Sequence, residues 1–214
     1  MPIRPARRAL VAAVATLSLA GLVPAASAQE LRYTDARHDV VKLDIADETL
    51  TPTPEPGRSN GDITSAYVHY RKGHLVLRLN FAELTARRNT VFEYSGLVRT
   101  SAHRTWFFTV DTSPGRYAGH DVLVGPRGRR ACEIGHMLDY REDFARVSID
   151  LDCLQDPRWV KVSMGAVMIT FDPKVLRAQD IEPGELVAHI DAASSRETDR
   201  FGWTPRVHRP RHHA

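Results

Sequence analysis

Acidic side chains gather early in the sequence: Asp35, Asp39, Asp44, Asp47 and Glu48, with Asp62 set to return close by. Carboxylates in this number are hard oxygen ligands, and with loop carbonyls they suit a structural calcium ion of the kind extracellular sandwich domains use. Asp35, Asp39 and Asp62 are the candidate ligands. The plainer alternative is that these aspartates cap backbone amides in turns, and the D-x-D-x-D-G loop of an EF-hand is absent. Two tryptophans are candidate stacking surfaces for a sugar ring or a protein partner. Trp159 has the parity opposite to Val160 and Val162, and Trp203 sits in the loop Phe201-Gly-Trp-Thr-Pro205. Tryptophans in such places also commonly lid the edge of a core.

Other chemistries find little footing. No H-E-x-x-H or H-x-x-x-H pair lies on an expected helix, and the only two cysteines, Cys132 and Cys153, are more naturally paired with each other than used for zinc. His136 and Met137 are adjacent, so on a strand they point to opposite faces and cannot both ligate one haem iron. There is no G-x-S-x-G elbow, phosphate-cradling glycine loop or reactive-cysteine signature. Two carboxylates would suffice for a glycosidase, but nothing in the sequence selects a pair. The basic, histidine-rich end, with Arg206, His208, Arg209, Arg211, His212 and His213, reads as a solvated tail suited to weak contact with anionic wall polymers or transition metals.

The clearest structural element surrounds the cysteines. Ala145, Val147, Ile149, Leu151 and Cys153 are apolar and alternate with Arg146, Ser148, Asp150 and Asp152, the pattern of a half-buried strand. Upstream, Cys132, Ile134, Leu138 and Tyr140 share the opposite parity. A turn at Arg141 to Phe144 sets Tyr140 across from Ala145, Leu138 from Val147 and Ile134 from Leu151. The same register puts Cys132 opposite Cys153, close enough for a disulfide.

The first 28 residues have the form of an export signal: Arg4, Arg7 and Arg8, an apolar run from Ala9 to Val23, and Ala26-Ser27-Ala28 as the cleavage site. The mature chain is expected to begin at Gln29 and to be secreted, an environment that favours the disulfide. Arg7-Arg8 gives the leader some likeness to a twin-arginine signal, although paired arginines are common in general secretion leaders. The leader holds three of the 29 basic residues and none of the 26 acidic ones, so the remainder carries 26 of each. That balance, with no basic stripe interleaved with aromatics, argues against a nucleic-acid partner. Nothing past the leader is long and apolar enough to span a membrane.

Residues 29–205 are expected to form one domain, with 206–214 as the tail. Thr51 to Gly61, rich in proline, reads as a long surface loop after an entering strand at Val40 to Ile45. Strands are expected at Asp62–Tyr70, His74–Phe81, Val91–Arg99, Arg104–Asp111, Asp121–Val124 and Arg158–Phe171, the last buried on both faces at its far end. Lys174 to Ile190 fits a short helix or an edge strand broken at Pro183-Gly184. The fold class is all-β: an antiparallel two-sheet sandwich with one disulfide-linked hairpin and little helix outside the leader.

Four segments carry a resemblance. They are Tyr33-Thr-Asp-Ala-Arg-His-Asp-Val40, Gly61-Asp62-Ile63, the Cys-Leu-x-Asp-Pro-Arg-Trp-Val run from Cys153 to Val160, and Trp203-Thr-Pro-Arg-Val207. In this order they resemble small secreted bacterial proteins, rich in Ala and Arg, that are themselves uncharacterised. More remotely, the layout is similar to DOMON modules and family 9 carbohydrate-binding modules, sandwiches that bind sugars or haem. The resemblance implies a fold, and no ligand residue is carried across. The expected function is a secreted, non-catalytic binding module for a polysaccharide or cell-envelope component, with Trp159 or Trp203 beside a groove. The alternatives are an extracellular protein-interaction or inhibitor domain, which would present a flat apolar patch, and a secreted hydrolase. Neither the oligomeric state nor any resident cofactor beyond the calcium ion is indicated.

Overall fold

The computed structural model describes residues 30–45, 47, 49–71, 73–128, 132–172, 174, 185–194 and 202–210. The expected leader with its cleavage site, Glu48, the expected break at Pro183-Gly184, Arg211, His212 and His213 lie outside the described residues. Period-two alternation dominates the rest and produces thirteen strands among the described residues: β1 (Glu30–Thr34), β2 (Val41–Asp44), β3 (Thr53–Pro54), β4 (Ile63–Tyr70), β5 (His74–Phe81), β6 (Thr90–Thr100), β7 (Thr105–Ser113), β8 (Arg116–Val124), β9 (Gly135–Asp139), β10 (Phe144–Asp150), β11 (Trp159–Phe171), β12 (Leu186–Ala192) and β13 (Val207–His208). The one helical element described is a 3₁₀ turn at Leu151–Leu154.

The strands pair antiparallel into two sheets. One has five strands in the order β1-β4-β5-β10-β9; the other has eight, β3-β2-β12-β11-β6-β7-β8, with β13 beside β11. The core lies between them. Val68, Tyr70, Leu75, Leu77, Leu79, Val147 and Ile149 from the first sheet pack toward Tyr94, Val98, Trp106, Phe108, Val110, Val160, Val162 and Met164 from the second, and all are buried. Burying a side chain of this size is worth roughly 1.5–3 kcal/mol against leaving it in water. Gly96 sits on the core face between Tyr94 and Val98, where a Cβ would fall 2.7 Å from Cε1 of Phe108. The missing side chain admits the Phe108 ring, which meets Tyr94 edge to face at 5.2 Å.

The cysteine hairpin forms, but in a different register from the expected one. Ala145 pairs with Leu138 and Val147 with His136, so the strands are slipped by two residues while every side chain keeps its face. The cause is Asp139, whose Oδ1 accepts the N–H groups of Arg141 and Glu142 and closes the turn one residue earlier, with Asp143 in the left-handed region. Nor does β10 run on to Cys153. It stops at Asp150, and the 3₁₀ turn buries Leu151 and Leu154 and carries Cys153 back to Cys132. The disulfide joins them with Cα atoms 5.9 Å apart. Two other expectations need correction. The far end of β11 is buried on one face only, Val167 and Ile169 being half-exposed on the other. Residues 186–192 of the indistinct late segment are a paired inner strand, with β11 on one side and β2 on the other.

Replacing both Cys132 and Cys153 with alanine is expected to lower the unfolding free energy by about 3 kcal/mol, the loop-closure entropy of a bridge of this span. Urea unfolding followed by circular dichroism measures it, with a native spectrum retained before the transition.

Candidate functional site

Between the end of β1 and the start of β2 the chain crosses from the five-stranded sheet to the eight-stranded one. That crossover carries Asp35 and Asp39. Asp62 stands immediately before β4, and Asp191 lies on β12 in the opposite sheet. One carboxylate oxygen from each of Asp39, Asp62 and Asp191 lies within 4.8 Å of the others. Asp39 is exposed, Asp62 is fully buried and Asp191 is 5% exposed, so the cluster opens at the rim and has its floor in the core.

Backbone amides hold part of each buried carboxylate. Both oxygens of Asp62 accept the His38 N–H, at 3.1 and 3.3 Å. Asp191 Oδ2 accepts the Ile63 N–H at 2.6 Å, a tie from one sheet to the other. Asp35 Oδ1 accepts the N–H groups of Ala36 and Ser194, each at 3.0 Å. Its second oxygen, Oδ2, is buried without a hydrogen-bond partner among the described residues. Asp47, by contrast, does what a turn aspartate ordinarily does and accepts the Thr49 N–H.

The electrostatics of the cluster are one-sided. Burial first, and then the charges of neighbouring aspartates, push both Asp35 and Asp191 up to about 7. Burial, and less strongly Asp62, also raise Asp39, opposed by a hydrogen bond from its own backbone and by His38. Of the sequence-derived ligand set, the structure brings Asp39 and Asp62 together, sets Asp35 beside them, and adds Asp191, which sequence reasoning missed.

A second feature occupies the outer face of the five-stranded sheet. Register aligns Arg32 with Tyr67, Tyr67 with Arg78, Arg78 with Arg146 and Arg146 with Met137, a single row across all five strands. The face borders a groove of about 990 Å³ that these three arginines share with Arg71, Asn80 and Ser148. Arg32 pairs with Glu30 at 2.7 Å and lies 4.7 Å from the Tyr67 ring centre. Arg78 stacks on Phe144 at 3.8 Å and donates from Nε to Asn80 Oδ1. Among the described residues neither Arg78 nor Arg146 forms an ion pair with a carboxylate. Burial, followed by the charges of Arg146 and Arg32, pulls the Arg78 guanidinium below its ordinary value.

The two tryptophans stand elsewhere. Trp159 opens β11 in the other sheet, half-buried, with the Arg206 guanidinium 4.5 Å from its ring centre and His103 edge-on at 6.1 Å. Trp203 is likewise half-buried, and neither lines the groove. Cys132 and Cys153 are consumed by their bridge. No protein-family model, curated protein or solved structure matches this chain.

A carboxyl raised in the folded state binds its proton more tightly there than in the unfolded chain. The stability linked to that proton is therefore full below the unfolded value near 4 and is lost as pH rises to about 7. In chelator, with Asp39 and Asp62 as the other carboxylates acting on Asp35 and Asp191, the melting temperature is expected to fall between about pH 4 and pH 7. Asp35→Asn, which keeps the Oδ1 acceptor and removes a charge, should flatten that fall in a thermal-shift series.

Proposed function

We propose that the protein is a secreted, non-catalytic binding module that holds an anionic polysaccharide, or another anionic envelope polymer, across the outer face of the five-stranded sheet. The observation that carries this reading is the placement of Arg78 directly opposite Arg146. Like charges at facing positions of an antiparallel pair destabilise a sheet, and among the described residues no carboxylate reaches either guanidinium within ion-pair distance, Asp139 and Glu142 acting on Arg78 only from farther away. A bound carboxylate, sulfate or phosphate would offset them. Guanidinium groups grip such oxyanions in bidentate fashion, and Tyr67 in the same row offers a face to a sugar ring. The disulfide, and the lack among the described residues of a helix long and apolar enough to cross a membrane, are compatible with export.

A second reading, a protein-interaction domain, is favoured by one observation. The outer face of the eight-stranded sheet exposes Leu97 (37%) and Phe107 (39%), which are register partners, and Ile190 (37%).

Calorimetry of residues 29–214 with polygalacturonate and with neutral dextran separates the readings. The uronate polymer is expected to bind, with affinity that falls as salt is added, and dextran not to. Arg78→Ala and Arg146→Ala should each weaken uronate binding about 10- to 100-fold, the loss of a hydrogen-bonded charge contact. Arg146→Ala should leave the melting temperature unchanged or raised, because a repulsion goes with it. Equal binding of the two polymers, or full affinity in both variants, contradicts the proposal. Loss of binding only in a Leu97→Asp variant would favour the second reading.

A further inference from the structure

We propose that Asp39, Asp62 and Asp191, flanked by Asp35, form a calcium site that clamps the crossover between β1 and β2 to both sheets at once. This is independent of the polymer-binding face. A calcium ion bonds oxygens at 2.3–2.6 Å, so two ligands on opposite sides of it stand up to about 5 Å apart. Three carboxylate oxygens within 4.8 Å of one another can therefore close on a single ion with shifts of about a few tenths of an ångström at most. The donors are all oxygen, which selects a hard cation over zinc or copper. They come from three separate stretches of chain and meet at a rim with one exposed member, Asp39, giving the ion a way in. Such irregular protein-borne coordination suits calcium; magnesium demands a near-ideal octahedron and keeps much of its water.

Asp35 supplies the independent observation. It is 8% exposed, and its Oδ1 is spent on the amides of Ala36 and Ser194, the latter three residues beyond Asp191. Among the described residues Oδ2 is buried with no hydrogen-bond partner, although its neighbours are carboxylates. An unpaired buried carboxylate oxygen is costly, and a cation beside it removes the cost. Amide capping explains one oxygen of Asp35 and one of Asp191, and the His38 N–H is shared by both oxygens of Asp62. Capping does not explain why Asp39 and Asp35 of the crossover, Asp62 at the start of β4 and Asp191 of β12 gather at one place.

The test is calorimetric titration of chelator-treated residues 29–214 with calcium chloride and, in parallel, magnesium chloride, together with melting temperatures in each. One calcium ion per chain is expected, with a rise in melting temperature of several degrees at saturation and weaker binding of magnesium. Asp191→Asn retains an acceptor for the Ile63 amide, and Asp39→Asn alters an exposed side chain. Each should lower calcium affinity by about tenfold or more with the circular dichroism spectrum unchanged. If Asp191→Asn does not fold, Asp39→Asn decides alone. Absence of heat and of any thermal shift with millimolar calcium overturns the proposal. So does stoichiometric calcium binding that Asp39→Asn leaves intact, and magnesium binding tighter than calcium overturns the choice of ion.

Discussion

Everything in this protein follows from one geometric constraint: side chains alternate between the two faces of a strand, so a strand that feeds the core must present its other face outward. The core takes Leu75, Leu77 and Leu79 from β5 and Val147 and Ile149 from β10. What remains on those strands, Arg78 and Arg146 among others, is delivered to one surface in fixed register. The arginine row is thus the obligatory other side of the hydrophobic core. Its members cannot drift apart without dragging core residues out of place, which gives the row its rigidity.

The same constraint explains the acidic cluster, where it is broken. On β12 the inward positions are Val187, His189 and Asp191, so two polar groups face the interior. His189 Nδ1 lies 2.7 Å from Glu55 Oε2, at ion-pair distance though without hydrogen-bond geometry, and Asp191 takes the Ile63 amide. Inward polar groups are tolerable only when paired, and these pairs tie the eight-stranded sheet to the proline-rich loop and to the five-stranded sheet respectively. Residues 29–214 carry equal numbers of acidic and basic side chains, yet the fold separates some of them into an acidic cluster at the crossover and an arginine face on one sheet.

Much of this was legible before folding. Strand boundaries for β4, β5 and β11 agree with the alternation to within one residue, and the two cysteines are joined as expected, although the 3₁₀ turn rather than the expected strand register brings them together. The expected hairpin register is not the observed one, because an aspartate side chain at Asp139, not hydrophobic parity, sets where the turn closes. A shift of two preserves parity, so alternation cannot detect it. In the candidate sites, Asp39 and Asp62 stood out as part of a local acidic cluster. Asp191 did not, since parity reasoning sends polar residues outward and β12 inverts that rule. The arginine row was invisible for another reason. Arg32, Tyr67, Arg78 and Arg146 are far apart in sequence, and only the register of four strands lines them up.

The account stands or falls on where an anionic polymer touches the protein. Side-chain Nε–Hε resonances of arginine, followed by NMR while an oligogalacturonate is titrated into the ¹⁵N-labelled protein, report this residue by residue. The account predicts that Arg32, Arg78 and Arg146 shift together along one saturating curve while Arg206 over Trp159 stays still. Shifts confined to Arg206 and the indole of Trp159, or none at the row across the five-stranded sheet, would contradict it.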